Sequence, residues 1–178
     1  MHTRPNSRAP RRDGPRDWAI LSRTDQRPYG QKMAETLGSL CDKLTVVKLK
    51  QWHSTAPERL NSLQAQAQQL CQEIDDFVQS ASSGSVPIHR LTFASNKVYK
   101  QEGNSIRPAV GTIGEMFSRL ATVNCQLWHE QEKVYEFEKV PPENKNAVVK
   151  QIALLNLDRT ECIDAIDRMF RDTLAAKG

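Results

Sequence analysis

The sequence has no uninterrupted apolar run of the roughly 18 residues that a membrane-spanning helix needs. It lacks the glycine-rich phosphate-binding patterns G-x-x-x-x-G-K and G-x-G-x-x-G, and the G-x-S-x-G nucleophile pattern. Its four cysteines include no C-x-x-C pair, and it contains no H-E-x-x-H motif. These absences exclude a membrane span and give no support to a common nucleotide fold, a serine hydrolase or a zinc knuckle.

A net positive charge is also missing from most of the chain, because basic and acidic residues balance after the first 29 residues. Residues 1–29 contain seven arginines and three aspartates, a net charge of +4 that equals the charge of the whole protein. We therefore expect a disordered, Arg/Pro-rich tail over residues 1–30 and a neutral helical domain over residues 31–178. A neutral body does not favour a nucleic-acid partner. The tail has no apolar core typical of a signal peptide, so we expect a cytoplasmic protein.

Apolar residues at helical spacing are plentiful after the tail. Met33, Leu37 and Leu40 begin a heptad-spaced stripe that predicts a first helix over residues 32–53. A second helix is predicted from the sequence TAPE, in which Thr55 would cap the free amides, to the breaker SSGS at residues 82–85.

Two further helices follow a long connection over residues 86–110, within which we expect a short helix at 91–100. The sequence Thr112–Glu115 has the capping-box pattern that predicts the start of the third helix, and the fourth is expected over residues 142–175. Short first and last connections make each pair an antiparallel hairpin. The chain is therefore predicted to be all-α, a four-helix bundle of two hairpins.

Polar residues interrupt the apolar stripes of the last two helices. Asn124 and Arg159 fall at inward positions, and a buried arginine requires an acidic partner. One interpretation is a structural network that fixes the helix register. The other is a pocket between helices for a small anionic ligand. The candidate binding residues are Asp42, Lys43, Asn124, Trp128, Glu130, Asn156, Arg159 and Asp167.

An acidic pair on the fourth helix suggests an alternative. Glu161 and Asp164 have the i, i+3 spacing by which all-α nucleotide pyrophosphohydrolases hold Mg²⁺ against phosphates. Those enzymes also need a second acidic cluster, E-E-x-x-E, which Glu130, Glu132 and Glu136 approximate with a different spacing, and Glu132 is the residue assigned to the metal with Glu161 and Asp164. This hypothesis predicts a Mg²⁺-dependent phosphoester hydrolase, and it alone calls for a cofactor. A third hypothesis is a scaffold that works through protein–protein contacts. It predicts an exposed apolar patch on one helix pair. The sequence is compatible with a homodimer and does not decide whether one forms.

Three sequence blocks resemble a known family. The run TLGSLCDKLTVVKLK from Thr36 resembles T-[IL]-G-x-L-x-D-K-L-[ST]-I-x-x-x-K, LATVNCQLWHE from Leu120 resembles L-x-x-x-N-x-x-L-W-x-x-E-D, and LNLDR from Leu155 resembles L-N-x-x-R. Together they resemble uncharacterised bacterial helical domains that are often encoded near glycosyltransferases of cell-surface polysaccharide clusters. The resemblance covers residues 33–170, and it implies an accessory role in that context rather than a particular reaction.

Overall fold

A computed structural model describes residues 34–93 and 108–177 of the chain. Within those ranges it contains four α-helices and no strand, which confirms the all-α four-helix bundle. No helix in the same ranges is long and apolar enough to cross a membrane. The helices are α1 (Leu37–Trp52), α2 (Pro57–Ser82), α3 (Ile113–Tyr135) and α4 (Pro142–Ala175), with 3-10 turns at Ile88–Arg90 and Phe137–Lys139.

Two sequence predictions fall wholly or mostly outside the described residues. The tail over residues 1–30 lies outside them entirely. The short helix expected at 91–100 has only its first three positions within them, and these follow the 3-10 turn at Ile88–Arg90 without being helical.

The start of α1 differs from the prediction. The helix begins at Leu37 rather than near residue 32, because Thr36 forms a capping box with Ser39. The Thr36 hydroxyl accepts from the Ser39 amide at 3.3 Å, and the Ser39 hydroxyl accepts from the Thr36 amide at 2.9 Å. Serine occupies the third helical position in place of the usual glutamate or glutamine, so the S/T-x-x-E/Q capping-box pattern does not predict this cap.

The start of α2 also differs slightly from the prediction. Its N-cap is Ala56, which makes no side-chain capping bond, so Thr55 does not cap the helix. Pro57 occupies the first helical position, where its missing N–H costs nothing and its fixed φ favours the helix. The proline therefore sets this boundary without a side-chain cap.

The capping box of α3 is confirmed. The Thr112 hydroxyl accepts from the Glu115 amide at 3.3 Å, and the Glu115 carboxylate accepts from the Thr112 amide at 2.6 Å. We expect Thr112→Ala to lower the free energy of unfolding by about 1 kcal/mol, since it leaves a helix-terminal donor unpaired. Urea denaturation measures this, with the mid-helix Thr122→Ala as the control. An equal loss in both variants would contradict a capping role.

Helix α1 lies at the centre of the packing. It pairs with α2 as one hairpin, α3 pairs with α4 as the other, and α1 also contacts both helices of the second hairpin. The main apolar core joins all four helices. Its fully buried members, each less than 2% exposed, include Leu40, Leu120 and Ile166, and Leu91 from the connection packs there too. Val123, Leu127 and Leu155 form a second, smaller apolar cluster between α3 and α4.

A buried polar network between three helices

Asp42 is the centre of a polar network that joins α1, α3 and α4. The carboxylate is only 5% exposed, and both of its oxygens accept hydrogen bonds from Arg159. The Nε–Oδ1 distance is 2.7 Å, and Nη2 donates to Oδ2, so the guanidinium group is bidentate. Asn124 donates to Asp42 Oδ1 at 3.0 Å and to the Thr45 hydroxyl at 2.7 Å. The network therefore links residues far apart in sequence.

The network lies between the two apolar clusters. On α3, Asn124 stands between Leu120 of the main core and Leu127 of the smaller cluster. On α4, Arg159 stands between Leu155 of the smaller cluster and Cys162 of the main core. A hydrogen-bonding group requires a particular partner, whereas an apolar side chain can pack against many neighbours. The network therefore fixes the register of α1 against the second hairpin.

Arg159 connects the buried carboxylate with the surface. Its side chain is 34% exposed, whereas that of Asp42 is 6% exposed. The hydrogen bonds to Asp42 raise the pKa of Arg159 above its already high value, so the group is always charged. Among the described residues, no buried side-chain nitrogen or oxygen lacks a hydrogen-bond partner. The polar groups around Asp42 are thus satisfied by the protein's own side chains.

Asp167 lies at a second polar site, where α4 meets the start of α1. Its Oδ1 accepts from the Gly38 amide at 2.7 Å, and it also hydrogen-bonds the Thr36 side chain. The two helices approach closely there. A Cβ on Gly38 would lie only 2.5 Å from the Ile163 carbonyl oxygen, so this position has no room for a larger residue. Burial raises the pKa of Asp167 to about 6.

Cys41 lies near both acidic sites. Burial raises the pKa of its thiol to about 12, and the negative charges of Asp167 and Asp42 contribute to the same shift. The thiol therefore stays protonated at neutral pH, as is typical of a structural cysteine.

Lys43 and Asn156 are two of the five candidate binding residues that lie outside the network. Lys43 follows Asp42 directly, so it points to another side of α1, where it is 51% exposed and pairs with Glu35 at 2.7 Å. This hydrogen bond lowers the pKa of Glu35. Asn156 is exposed and donates to the Ile152 carbonyl of its own helix at 2.9 Å. The partners of these two side chains are therefore different from those of Arg159.

Trp128 and Glu130 lie at other places on α3. The Trp128 ring stacks on His53, the C-cap of α1, with centroids 4.5 Å apart and an interplanar angle of 16°. Its Nε1 donates to Glu132 at 2.8 Å. Glu130 pairs with Lys133 at 2.7 Å in an open groove at the α3–α4 turn. The eight candidates are therefore distributed over several sites rather than one pocket.

The carboxylates of the Mg²⁺ hypothesis do not assemble a metal site. Glu132 is exposed and accepts from Trp128 and His129, and the His129 bond is the main cause of its lowered pKa. Glu161 on α4 pairs with Arg168 at 3.3 Å. In residues 34–93 and 108–177, no group of three histidine, cysteine or acidic side chains, Asp164 included, is placed to hold a metal ion. This donor set does not fit the magnesium that the spacing suggested.

Some interactions are not foreseeable from the sequence patterns above. Thr45 completes the network on α1, and Arg119 forms an ion pair with Asp158 at 2.5 Å. Arg119 also donates to the Pro108 carbonyl at 2.9 Å, which ties the chain before α3 to that helix. Thr45 lies three positions after Asp42, and this spacing is the one signal that could have found it.

Comparisons with known proteins give no family assignment. The sequence matches no family model and no curated protein, and no solved structure matches. The resemblance to bacterial domains from polysaccharide clusters therefore stays a prediction.

Proposed function

We propose that this chain is a helical binding or accessory module that uses Arg159 to contact an anionic group of a ligand. The observation behind the proposal is the geometry of this side chain. Two of its nitrogens are fixed on buried Asp42, while a third of the side chain is exposed. A guanidinium group held in one orientation loses little entropy when it binds a phosphate or carboxylate.

The ligand class follows from the charge and from the family resemblance. Asp42 offsets the charge of Arg159, so a simple phosphate ion would be held weakly, and an extended ligand that also contacts the helix surfaces suits the site better. The resemblance to domains encoded near glycosyltransferases makes a sugar nucleotide the ligand class that we propose, in a cytoplasmic bacterial setting.

Ligand-induced stabilisation tests this function. We expect a uridine diphosphate sugar at millimolar concentration to raise the melting temperature of the full chain, and pyrophosphate to raise it less. The variant Asp42→Asn/Arg159→Met should remain folded, because both charges are removed together and the introduced carboxamide can still accept from Asn124. It should lose the ligand-induced shift.

The matched control is Arg168→Met, which removes an exposed arginine from the same helix. It should keep the shift. If the sugar nucleotide does not stabilise the wild-type chain, or stabilises the double variant equally, Arg159 is not a ligand contact and the network is structural only.

A further inference from the structure

The turn between α3 and α4 carries a regular pattern of charge. Glu130, Lys133, Glu136 and Lys139 alternate in sign at three-residue intervals, and all four line one open groove of about 590 Å³. Glu130 and Lys133 lie on α3, Glu136 is the C-cap of that helix with non-helical backbone angles, and Lys139 lies on the following 3-10 turn, so the shared groove brings the four together. We refer to these four residues as the charge strip.

The charges of the strip are weakly committed within the chain. Lys133 pairs with Glu130 at 2.7 Å and Lys139 with Glu136 at 3.0 Å. The two lysine side chains are 50% and 68% exposed and Glu136 is 62% exposed, whereas Glu130 is only 19% exposed. The Lys139–Glu136 pair is exposed on both sides and contributes little to stability, so exchanging it for contacts with another molecule costs little.

Apolar side chains are exposed beside the strip. Tyr135 is 85% exposed and lines a neighbouring open groove together with the strip residues Lys133 and Glu136. Val140 and Ala147 line the groove of the strip itself. A charged strip beside apolar groups provides both orientation and buried area for a protein contact.

The order of the charges indicates which protein would bind. An alternating strip of four charges, read in the opposite direction, presents the opposite sign at every position. A two-fold axis between positions 133 and 136 would place Glu130 against Lys139 of a second copy, and Lys133 against Glu136 of that copy. Two-fold contacts require such self-complementary surfaces.

We propose that two copies of this chain associate through antiparallel pairing of their charge strips. The contact between Lys133 and Glu136 occurs twice in such a dimer. The strip is separate from Arg159, so this dimer can form whether or not the chain binds a ligand.

Charge exchange within the strip tests the dimer. Sedimentation equilibrium of the full wild-type chain should show a monomer–dimer equilibrium that weakens as salt concentration rises. Lys133→Glu and Glu136→Lys should each weaken dimerisation about tenfold or more, because each variant places two like-charged pairs at the contact.

Mixing the two single variants gives the sharpest result. Their strips oppose with complementary charges at all four positions, so the mixture should form a heterodimer of near wild-type affinity. The double variant Lys133→Glu/Glu136→Lys should regain self-association for the same reason. The exposed Lys150→Glu, with the same change of charge outside the strip, should dimerise like the wild type. Circular dichroism verifies that each variant is folded.

Three outcomes would overturn the proposal. The first is a wild-type chain that stays monomeric at every concentration. The second is a mixture of the single variants that associates no better than either alone. The third is a Lys150→Glu variant that dimerises as weakly as Lys133→Glu.

Discussion

Replacing Asp42 with alanine is expected to lower the free energy of unfolding by about 3 kcal/mol, the cost typical of breaking a buried ion pair. The guanidinium group of Arg159 would lose both of its hydrogen bonds to the carboxylate, and Asn124 would lose one of its two. Alanine also leaves a cavity between the two apolar clusters. Chemical denaturation of the full chain, monitored by circular dichroism, measures the loss.

The double variant Asp42→Asn/Arg159→Met measures the net contribution of the intact ion pair to stability. The single variant measures the destabilisation caused by leaving Arg159 without its partner. Since the double variant leaves no lone charge, it should retain most of the wild-type stability. Asp76→Ala provides a comparison, because this half-buried aspartate of α2 accepts from the neighbouring Gln72 side-chain amide at 2.8 Å. A loss below about 1 kcal/mol for Asp42→Ala would show that solvent replaces the network readily.

The helices are predictable because their apolar stripes are long and regular. Leu120, Leu127 and Leu155 occupy expected inward positions, and all three are buried. The boundaries depend on shorter signals. Thr112 with Glu115 forms a recognisable capping box, whereas Thr36 with Ser39 does not, since serine at the third position is an uncommon variant.

The candidate site is predictable only in part. Asn124 and Arg159 interrupt apolar stripes, and periodicity alone places them inward. That Arg159 has an acidic partner follows from the cost of burying an unpaired charge. Lys43 is a candidate because it neighbours Asp42, but adjacent helical residues point about 100° apart. Which acid pairs with Arg159 depends on how α1 and α4 cross. Asp42 and Arg159 are 117 residues apart in the chain, so no local sequence pattern predicts that they pair.

The three blocks of the family resemblance meet at the network. One block contributes Asp42, the second contributes Asn124, and the third contributes Arg159. In this chain the three blocks therefore supply one residue each to the same network, and the ligand proposed for Arg159 is a separate hypothesis.

Asp167→Asn is expected to stabilise the protein at neutral pH. Burial raises the pKa of Asp167 in the folded chain to about 6 from its ordinary value of 3.8. Between these two pH values the folded state holds the proton more tightly than the unfolded state, so the free energy of unfolding falls as the pH rises. The total fall is about 3 kcal/mol by pH 7, on the scale of 1.36 kcal/mol per pKa unit.

Asparagine removes this dependence while keeping the main contact. Its side-chain oxygen can still accept from the Gly38 amide, so the close approach of α4 to the start of α1 is preserved. The stability difference between variant and wild type should be small near pH 4 and should grow toward about 2 to 3 kcal/mol at pH 7. Urea denaturation of both proteins at several pH values gives this difference directly.

The neighbouring charges on α4 define the control. Asp164 raises the pKa of Asp167 and Arg168 lowers it, both less than burial does. Asp172→Asn removes an equal charge from an exposed position on the same helix, where the side chain is 64% exposed. If both variants gave the same pH profile, net charge would explain the effect. A growing difference for Asp167→Asn alone would identify the cost of burying its carboxylate, which the hydrogen bonds from Gly38 and Thr36 offset only in part.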